Sequence, residues 1–161
     1  MGQARSPRHE VVLAAALALA LSGCAGAQRR GATRRPIPPL AKAVVRTAKS
    51  YLPEEEKGRK LPKDCSDYVH AVFKENGIEL PRTSLEMARR GEPLASSGDL
   101  QMGDLVFFSG SKPSSTVGHI GIYVNNGIFI HFAKEETGVT MESMYSDYYR
   151  KRYLKARRVI P

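Results

Sequence analysis

A change in hydrophobic period near Gly103 sets the fold class of this 161-residue chain. Between residues 41 and 90, apolar side chains recur at intervals of three and four, which is the period of an amphipathic helix. After Gly103 the chain consists of short runs rich in β-branched and aromatic residues, which favours strands. Helices followed by antiparallel strands predict a single α+β domain over residues 41–161, with the N-terminal helices packed on the sheet.

The predicted helices have recognisable ends. Pro53 ends the first helix, Asp64 caps the second, and Gly77 suits the left-handed exit of that second helix. The predicted helices span residues 41–52, 64–77 and 84–90, and the predicted strands span residues 104–108, 119–124, 128–133, 138–144 and 154–160. The strands are expected to follow one another as an antiparallel meander.

Residues 1–23 have the features of a secretory signal peptide and are not expected to join the fold. Arg5 and Arg8 precede an apolar run over residues 11–21, which is well short of the ~20 residues that span a bilayer as a permanent helix. The run is apolar on every face, which argues against a buried amphipathic helix. A positive start, a short apolar core and small residues after it are typical of an export signal.

The end of this segment, Leu21-Ser22-Gly23-Cys24, resembles a bacterial lipobox. The resemblance implies cleavage before Cys24 and lipidation of its sulfur, so we expect a membrane-anchored lipoprotein of the cell envelope. Ala25 is associated, by the same resemblance, with sorting to the outer membrane, facing the periplasm. Two or three acyl chains give stable attachment, whereas one chain binds only marginally. A signal peptide with an incidental cysteine is the alternative.

Residues 24–40 are predicted to form a basic, Pro-rich tether that carries four arginines. The net charge of +9 for the whole chain falls to about +4 for residues 41–161. The basic residues near the C-terminus are Arg150, Lys151, Arg152, Lys155, Arg157 and Arg158. In an exported protein they favour attraction to anionic envelope polymers over nucleic-acid binding. A simple solvated face is the alternative.

Cys65 is the candidate nucleophile. If Cys24 is lipidated, Cys65 has no disulfide partner, and it lies in a predicted first helical turn, where free N–H groups and the helix dipole lower a thiol pKa. A buried, inert cysteine is the alternative. A thiol nucleophile needs a base, and the mature chain offers only His70, His119 and His131. His70 lies about 140° around the helix from Cys65 and faces elsewhere.

The turn between the second and third predicted strands decides whether His119 and His131 share a face. A two-residue loop places the histidines on opposite faces. A three-residue loop over residues 125–127, with two right-handed residues and then a left-handed Gly, pairs Val124 with Ile128. Both histidines then lie on one face as diagonal neighbours. The other face is entirely apolar in this register, so we predict the three-residue loop.

These residues favour a thiol hydrolase. Cys65 attacks the substrate, His119 takes and returns the proton, and His131 orients the His119 ring and stabilises its charged form. The backbone N–H of Cys65 is a ready oxyanion donor. Zinc held by one cysteine and two histidines is the alternative, but no further ligand lies at a telling spacing. We therefore expect no metal and no cofactor.

Several segments together resemble the NlpC-type family of bacterial cell-wall cysteine peptidases, which have a papain-like fold. The matching segments are residues 64–66, 80–84, 103–108, 118–124, 129–131 and 156–160. They occur in the family's order and cover roughly residues 41–161. The resemblance implies a Cys65–His119–His131 triad. It also implies a substrate-binding role for Ser66, Asp67, Arg82, Thr83 and Ser84.

The same resemblance implies hydrolysis of peptidoglycan stem peptides, typically between D-γ-glutamate and a diamino acid such as meso-diaminopimelate. We expect a monomeric endopeptidase whose partners are stem peptides and, through Cys24, the membrane. A catalytically impaired wall-binding or scaffolding lipoprotein is one alternative. An amidase or acyltransferase that acts on another amide is a second.

Three positions depart from the family's pattern. The family has a Tyr and paired glycines before the cysteine, whereas residues 54–60 of this chain are mostly charged and Tyr51 lies earlier, on the preceding helix. Asp67 replaces the Gly that follows Cys-Ser, and Met87 replaces a Gln. These changes leave the triad intact and concern substrate preference and efficiency.

Overall fold

The computed structural model describes residues 1–2, 36–56 and 58–161. The second of two compact units, Arg35–Pro161, contains the predicted domain. The predicted signal peptide beyond its first two residues, Cys24, and the predicted tether up to residue 35 lie outside the described residues. In the part that is described, no helix is long and apolar enough to cross a membrane.

Within the described residues, the four α-helices are α1 (Pro39–Lys49), α2 (Cys65–Glu75), α3 (Ser84–Met87) and α4 (Asp147–Arg150). The predicted second helix is confirmed at both ends. The Asp64 carboxylate accepts a hydrogen bond from the Asp67 N–H at 2.8 Å, and Gly77 follows the helix with a φ of 78°. The first and third helices end earlier than predicted, at Lys49 and Met87.

In the described part of the chain, six strands form one antiparallel sheet. They are β1 (Glu92–Pro93), β2 (Leu105–Phe108), β3 (His119–Asn125), β4 (Ile128–Lys134), β5 (Gly138–Ser143) and β6 (Tyr153–Arg158). Their order in the sheet is β1-β6-β2-β3-β4-β5. The predicted meander therefore holds from β2 to β5, whereas β6 returns to the free side of β2 and pairs with β1 beyond it. The N-terminal helices and this sheet confirm the predicted α+β, papain-like class.

The two faces of the sheet bury different groups of side chains. On one face, residues of β2, β3 and β4 pack against α1 and α2, and we call this group the helix-side core. It includes Val44, Val69, Phe73, Ile120, Ile122 and Ile130. The opposite face carries a smaller group, the aromatic cluster, which contains Phe108, Tyr123, Phe129 and Tyr149.

The β3–β4 turn differs from its predicted form. Asn126 and Gly127 both have positive φ, 49° and 76°, so the turn is a two-residue one that closes at the Asn125–Ile128 pair. Left-handed residues at both positions match the twist of the flanking strands, and Asn tolerates that conformation. The predicted pairing of Val124 with Ile128 is therefore wrong.

A β-bulge at Val124 then restores the register that the longer loop would have given. Beyond the bulge, Tyr123 pairs with Phe129 and Ile122 pairs with Ile130. Continued along the strands, this register places His119 and His131 on the same face, as predicted. The extra residue lies in the strand and not in the loop.

A buried ion pair joins Asp104, the residue before β2, to Arg158, the last residue of β6. The Arg158 guanidinium donates to both carboxylate oxygens of Asp104, at 2.9 and 2.8 Å. Asp104 is only 2% exposed, and it also accepts a hydrogen bond from the Gln101 N–H at 2.7 Å. Two of the segments that carry the family resemblance thus meet in a structural contact.

Candidate active site

Cys65 is the first residue of α2, and its side chain is partly buried against the helix-side core. The backbone N–H groups of Ile120, Ser66 and Cys65 itself act on the thiol and favour the thiolate. Burial nevertheless outweighs them and raises the pKa of the Cys65 thiol. The predicted lowering of this pKa is therefore wrong in sign, because desolvation exceeds the effect of the helix start.

His119 and His131 form a direct hydrogen bond. His119 Nε2 lies 2.8 Å from His131 Nδ1, and the two rings meet edge to face. Burial lowers the pKa of His119 to about 4. Burial, and then the charge of His119, lower the pKa of His131 to about 3. Both rings are thus neutral near pH 7. Because His119 Nε2 is engaged, its Nδ1 is the ring nitrogen left to face a substrate or a thiol.

His131 is fully buried and is surrounded by aromatic side chains. Its ring stacks on Phe129 with the ring centroids 4.7 Å apart. On the side away from His119, His131 Nε2 lies 3.4 Å from the Tyr149 hydroxyl and 4.0 Å from a Glu142 carboxylate oxygen. The aromatic cluster therefore fixes the orientation of His131, which in turn fixes the ring of His119.

The thiol and the histidine pair approach one another through β3. One of the N–H groups that act on the Cys65 thiol belongs to Ile120, the residue that follows His119. Among residues 36–56 and 58–161, no hydrogen bond joins Cys65 to either imidazole. Catalytic hydrogen bonds are often long in ligand-free enzymes and tighten when substrate binds. The structure thus pairs the two histidines and sets β3, the strand that carries His119, beside the thiol.

The predicted substrate-binding residues at the start of α2 are connected by Arg82. Its guanidinium donates to Asp64 Oδ2 and to the Ser66 hydroxyl, both at 2.9 Å, and it lies 3.4 Å from Asp67 Oδ1. The hydrogen bond from Arg82 holds the pKa of Asp64 well below its usual range. Asp67 also accepts a hydrogen bond from the Lys63 N–H at 2.9 Å. These contacts fix the first turn of α2, on which Cys65 lies.

Thr83 and Ser84 lie where α3 begins. The Thr83 hydroxyl caps this helix by accepting a hydrogen bond from the Glu86 N–H at 3.3 Å, and it donates to the Glu86 carboxylate at 2.6 Å. Ser84 is the first helical residue. Their contacts in the structure are therefore local ones, and their role in substrate binding stays a prediction.

Tyr51 and His70 lie apart from the His119–His131 pair. The Tyr51 hydroxyl donates to Glu75, and its ring packs edge-on against Tyr68 in the helix-side core. His70 Nδ1 lies 2.9 Å from the Leu80 carbonyl oxygen, facing away from the thiol as predicted. Within the described ranges, no group of three or more His, Cys, Asp or Glu side chains is placed to hold a metal ion.

The basic residues near the C-terminus mostly make internal contacts. Arg150 pairs with Asp147 at 2.8 Å, and Arg157 donates to the Ala88 carbonyl at 2.8 Å. Arg152 donates to the carbonyls of Tyr148 and Ser111, each at 2.9 Å. Much of this positive charge therefore stabilises α4, β6 and the loops beside them.

A comparison with protein families identifies the domain. The model of the NlpC/P60 family matches residues 54–158, well over half of the chain. The chain belongs to the NlpC/P60 family. The predicted family is thereby confirmed.

The relatives of this NlpC/P60 domain include two bacterial enzymes. The Escherichia coli K12 protein named murein DD-endopeptidase MepS/murein LD-carboxypeptidase is 43% identical over 98 residues, which are 60% of this chain and 50% of that protein. The Bacillus cereus γ-D-glutamyl-L-lysine dipeptidyl-peptidase is 34% identical over 98 residues, 61% of this chain and 29% of that protein. The chain spans half or less of the length of these relatives.

A solved structure supports the same assignment. The crystal structure of an NlpC/P60 family protein from Bacillus cereus superimposes with a TM-score of 0.66 and 30% sequence identity. The aligned region covers 78% of this chain and 42% of that one. The NlpC/P60 fold thus extends over nearly all of the described domain.

Tyr149 and Glu142 are the site residues that sequence reasoning missed. Tyr149 lies on α4, a helix of four residues that is too short to leave a periodic pattern. Glu142 pairs with Phe129 across β4 and β5, which places it on the face of His131. Strand alternation alone would have found Glu142 once the β4–β5 register was known.

Proposed function

We propose that this chain is a peptidoglycan hydrolase, a cysteine endopeptidase that cleaves stem peptides in the bacterial cell envelope. The observation that carries the proposal is the His119–His131 hydrogen bond, in which His119 lies on β3, the strand whose Ile120 N–H acts on the Cys65 thiol. The names of the two relatives, a murein endopeptidase and a γ-D-glutamyl-L-lysine peptidase, support the same substrate class.

In the proposed reaction, Cys65 Sγ attacks the carbonyl carbon of a stem-peptide amide while its proton moves to His119 Nδ1. The N–H of Cys65 donates to the oxyanion of the tetrahedral intermediate. The amide C–N bond then breaks, and His119 gives the proton to the departing amine. Water attacks the resulting thioester with His119 as base, which releases the carboxylic acid and restores the thiol.

The resting state of this site is a neutral thiol beside a neutral imidazole. Burial raises the pKa of Cys65 and lowers the pKa of His119, so both charged forms are disfavoured before substrate arrives. Proton transfer therefore accompanies attack on the carbonyl. Once His119 is an imidazolium, both of its ring nitrogens carry protons, and His131 stabilises that charge by accepting at Nδ1, which lies 2.8 Å from His119 Nε2.

The proposed bond is the amide between D-γ-glutamate and a diamino acid such as diaminopimelate. The Bacillus cereus relative is named for a γ-D-glutamyl linkage. The 43%-identical Escherichia coli relative is named a DD-endopeptidase and LD-carboxypeptidase, which makes the D,D cross-link the second candidate. Mass analysis of the products from digested sacculi distinguishes the two.

Replacement of Cys65 tests the proposed activity. We expect Cys65→Ala to abolish the release of soluble muropeptides from purified sacculi, because no other group supplies the thioester. The matched control is Cys24→Ala, which removes the other cysteine. We propose that Cys24 carries the lipid anchor to the outer membrane, so Cys24→Ala keeps full digestion in solution and leaves the membrane fraction.

Three results would contradict these proposals. Unchanged digestion by Cys65→Ala refutes the catalytic assignment. Wild-type protein that binds sacculi and releases nothing supports a non-catalytic wall-binding lipoprotein, for which Asp67 and the missing Tyr-Gly-Gly segment are the motivating features. Cys24→Ala protein that stays with membranes refutes lipid anchoring at that residue.

A further inference from the structure

The far side of His131 is occupied by two groups. The Tyr149 hydroxyl lies 3.4 Å from His131 Nε2, and a Glu142 carboxylate oxygen lies 4.0 Å from the same nitrogen. Tyr149 is buried and belongs to α4, whereas Glu142 belongs to β5. Two elements that are distant in sequence from both histidines thus converge on one ring nitrogen.

The position of the His131 proton decides whether His119 is a competent base. The hydrogen bond between His119 Nε2 and His131 Nδ1 contains one proton when both rings are neutral. If that proton belongs to His119, then His119 Nδ1 is unprotonated and accepts the proton of a thiol. If the proton belongs to His131, then His119 carries its own proton on Nδ1 and has no lone pair there to offer.

We infer that Tyr149, together with Glu142, is a positioning residue that keeps the proton of His131 on Nε2. The Tyr149 oxygen accepts from that N–H, and the negative carboxylate of Glu142 favours a proton on the side that faces it. His131 Nδ1 then remains an acceptor, His119 holds its proton on Nε2, and His119 Nδ1 stays free. This inference rests on the proposed thiol hydrolase.

The surroundings of Tyr149 suit a fixed role. Its ring packs edge to face against Phe129 and Phe108, with centroid distances of 4.8 and 5.1 Å. The Ser146 hydroxyl caps the short helix by accepting from the Tyr149 N–H at 3.4 Å. Burial and the nearby Glu142 charge raise the pKa of Tyr149, so the phenol keeps its proton near pH 7.

Tyr149→Phe tests the inference, because it removes the hydroxyl and keeps the ring. We expect kcat on isolated muropeptides to fall about 3- to 10-fold, the size of one hydrogen bond, with KM little changed. Tyr153→Phe is the matched control. It removes the hydroxyl from a ring that packs against the same Phe108 ring, and that hydroxyl makes no hydrogen bond to His131 among the described residues, so kcat should be unchanged.

Two further measurements separate positioning through His131 from a general loss of packing. In the His131→Ala background, Tyr149→Phe should have no additional effect on kcat, since its partner is gone. Long-range ¹H–¹⁵N NMR of the wild-type chain should show His131 protonated at Nε2. Tyr149→Phe and Glu142→Gln should each shift His131 toward the other tautomer.

Three outcomes would overturn the inference. They are a wild-type His131 protonated at Nδ1, an unchanged kcat and tautomer in Tyr149→Phe, and an undiminished effect of Tyr149→Phe in the His131→Ala background. The NMR result does not depend on activity. Failure of the inference is therefore distinguishable from failure of the proposed function, which Cys65→Ala tests by itself.

Discussion

Strands β3 and β4 carry chemistry on one face and stability on the other. His119 and His131 contact the aromatic cluster, whereas their chain neighbours Ile120 and Ile130 lie fully buried in the helix-side core. Where the strands meet α2, the helix-side core receives apolar side chains from β3 and β4, and the Cys65 side chain packs against it. The opposite face holds two neutral, titratable rings whose burial has shifted their pKa values.

This difference shows how one sheet of a small domain separates folding from function between its two faces. Because side chains alternate along a strand, one strand supplies an apolar residue to the core and a polar residue to the site at adjacent positions. Substitutions at neighbouring residues should therefore have different consequences. The pairs Ile120/His119 and Ile130/His131 offer that comparison directly.

The largest expected effect is on the face that carries the histidines. We expect His119→Gln to lower kcat about 10²- to 10⁴-fold, because the amide donates to His131 in place of the ring but cannot take the thiol proton. His131→Ala should cost less, since His131 only orients and stabilises His119. Hydrolysis of muropeptides with a fixed amount of folded protein measures both. Equal losses from the two variants would show that their roles are misassigned.

The second largest expected effect is on the free energy of unfolding, and it arises at the face that packs against the helices. Ile130→Ala should lower the free energy of unfolding by about 2–5 kcal/mol, because it leaves a cavity in a fully buried site between the sheet and α2. Urea unfolding at pH 7 measures this loss. The folded fraction of Ile130→Ala should turn over substrate at the wild-type rate. A large fall in kcat at unchanged stability would remove the distinction between the two faces.

The smallest effect is a pH dependence of stability that the histidine face produces. The pKa of His119 falls from an ordinary 6.5 to about 4 in the folded chain, so the unfolded chain binds more protons between these values. The resulting stability is present above pH 6.5 and is lost as the pH falls toward 4, by about 1–3 kcal/mol. Urea unfolding at pH 7 and pH 4.5 measures it.

The variants of the two faces test which group causes this pH dependence of stability. Ile130→Ala should shift stability equally at both pH values, whereas His119→Gln should reduce the loss between them. A loss of the same size in His119→Gln and in the wild type would assign the pH dependence to groups other than His119.

The sequence predicted those parts of the molecule that local patterns control. Strand alternation located β2 to β6, and the Asp64 cap with Gly77 located both ends of α2. The spacing of the histidines, read with an apolar opposite face, placed them together. The turn type was wrong because the same register arises from a longer loop or from a short loop with a bulge, and spacing alone does not separate them.

Features that depend on distant segments were not predictable. The return of β6 to the side of β2 and the Asp104–Arg158 pair join residues that are 45 to 54 positions apart. The sign of the Cys65 pKa shift depends on how deeply the sheet buries the thiol, which the helix start does not reveal. Tyr149 reaches His131 from a helix of four residues that has no period of its own.

Because of the bulge at Val124, the number of residues between the two histidines matters more than which residues those are. With a tight turn at residues 126–127, each residue added to or removed from one strand reverses which side of the sheet the following side chains occupy. Losing Val124 would turn one histidine into the helix-side core, however well the remaining strand was filled with apolar residues. Related chains should therefore vary this hairpin in steps of two, or compensate a single insertion with a second.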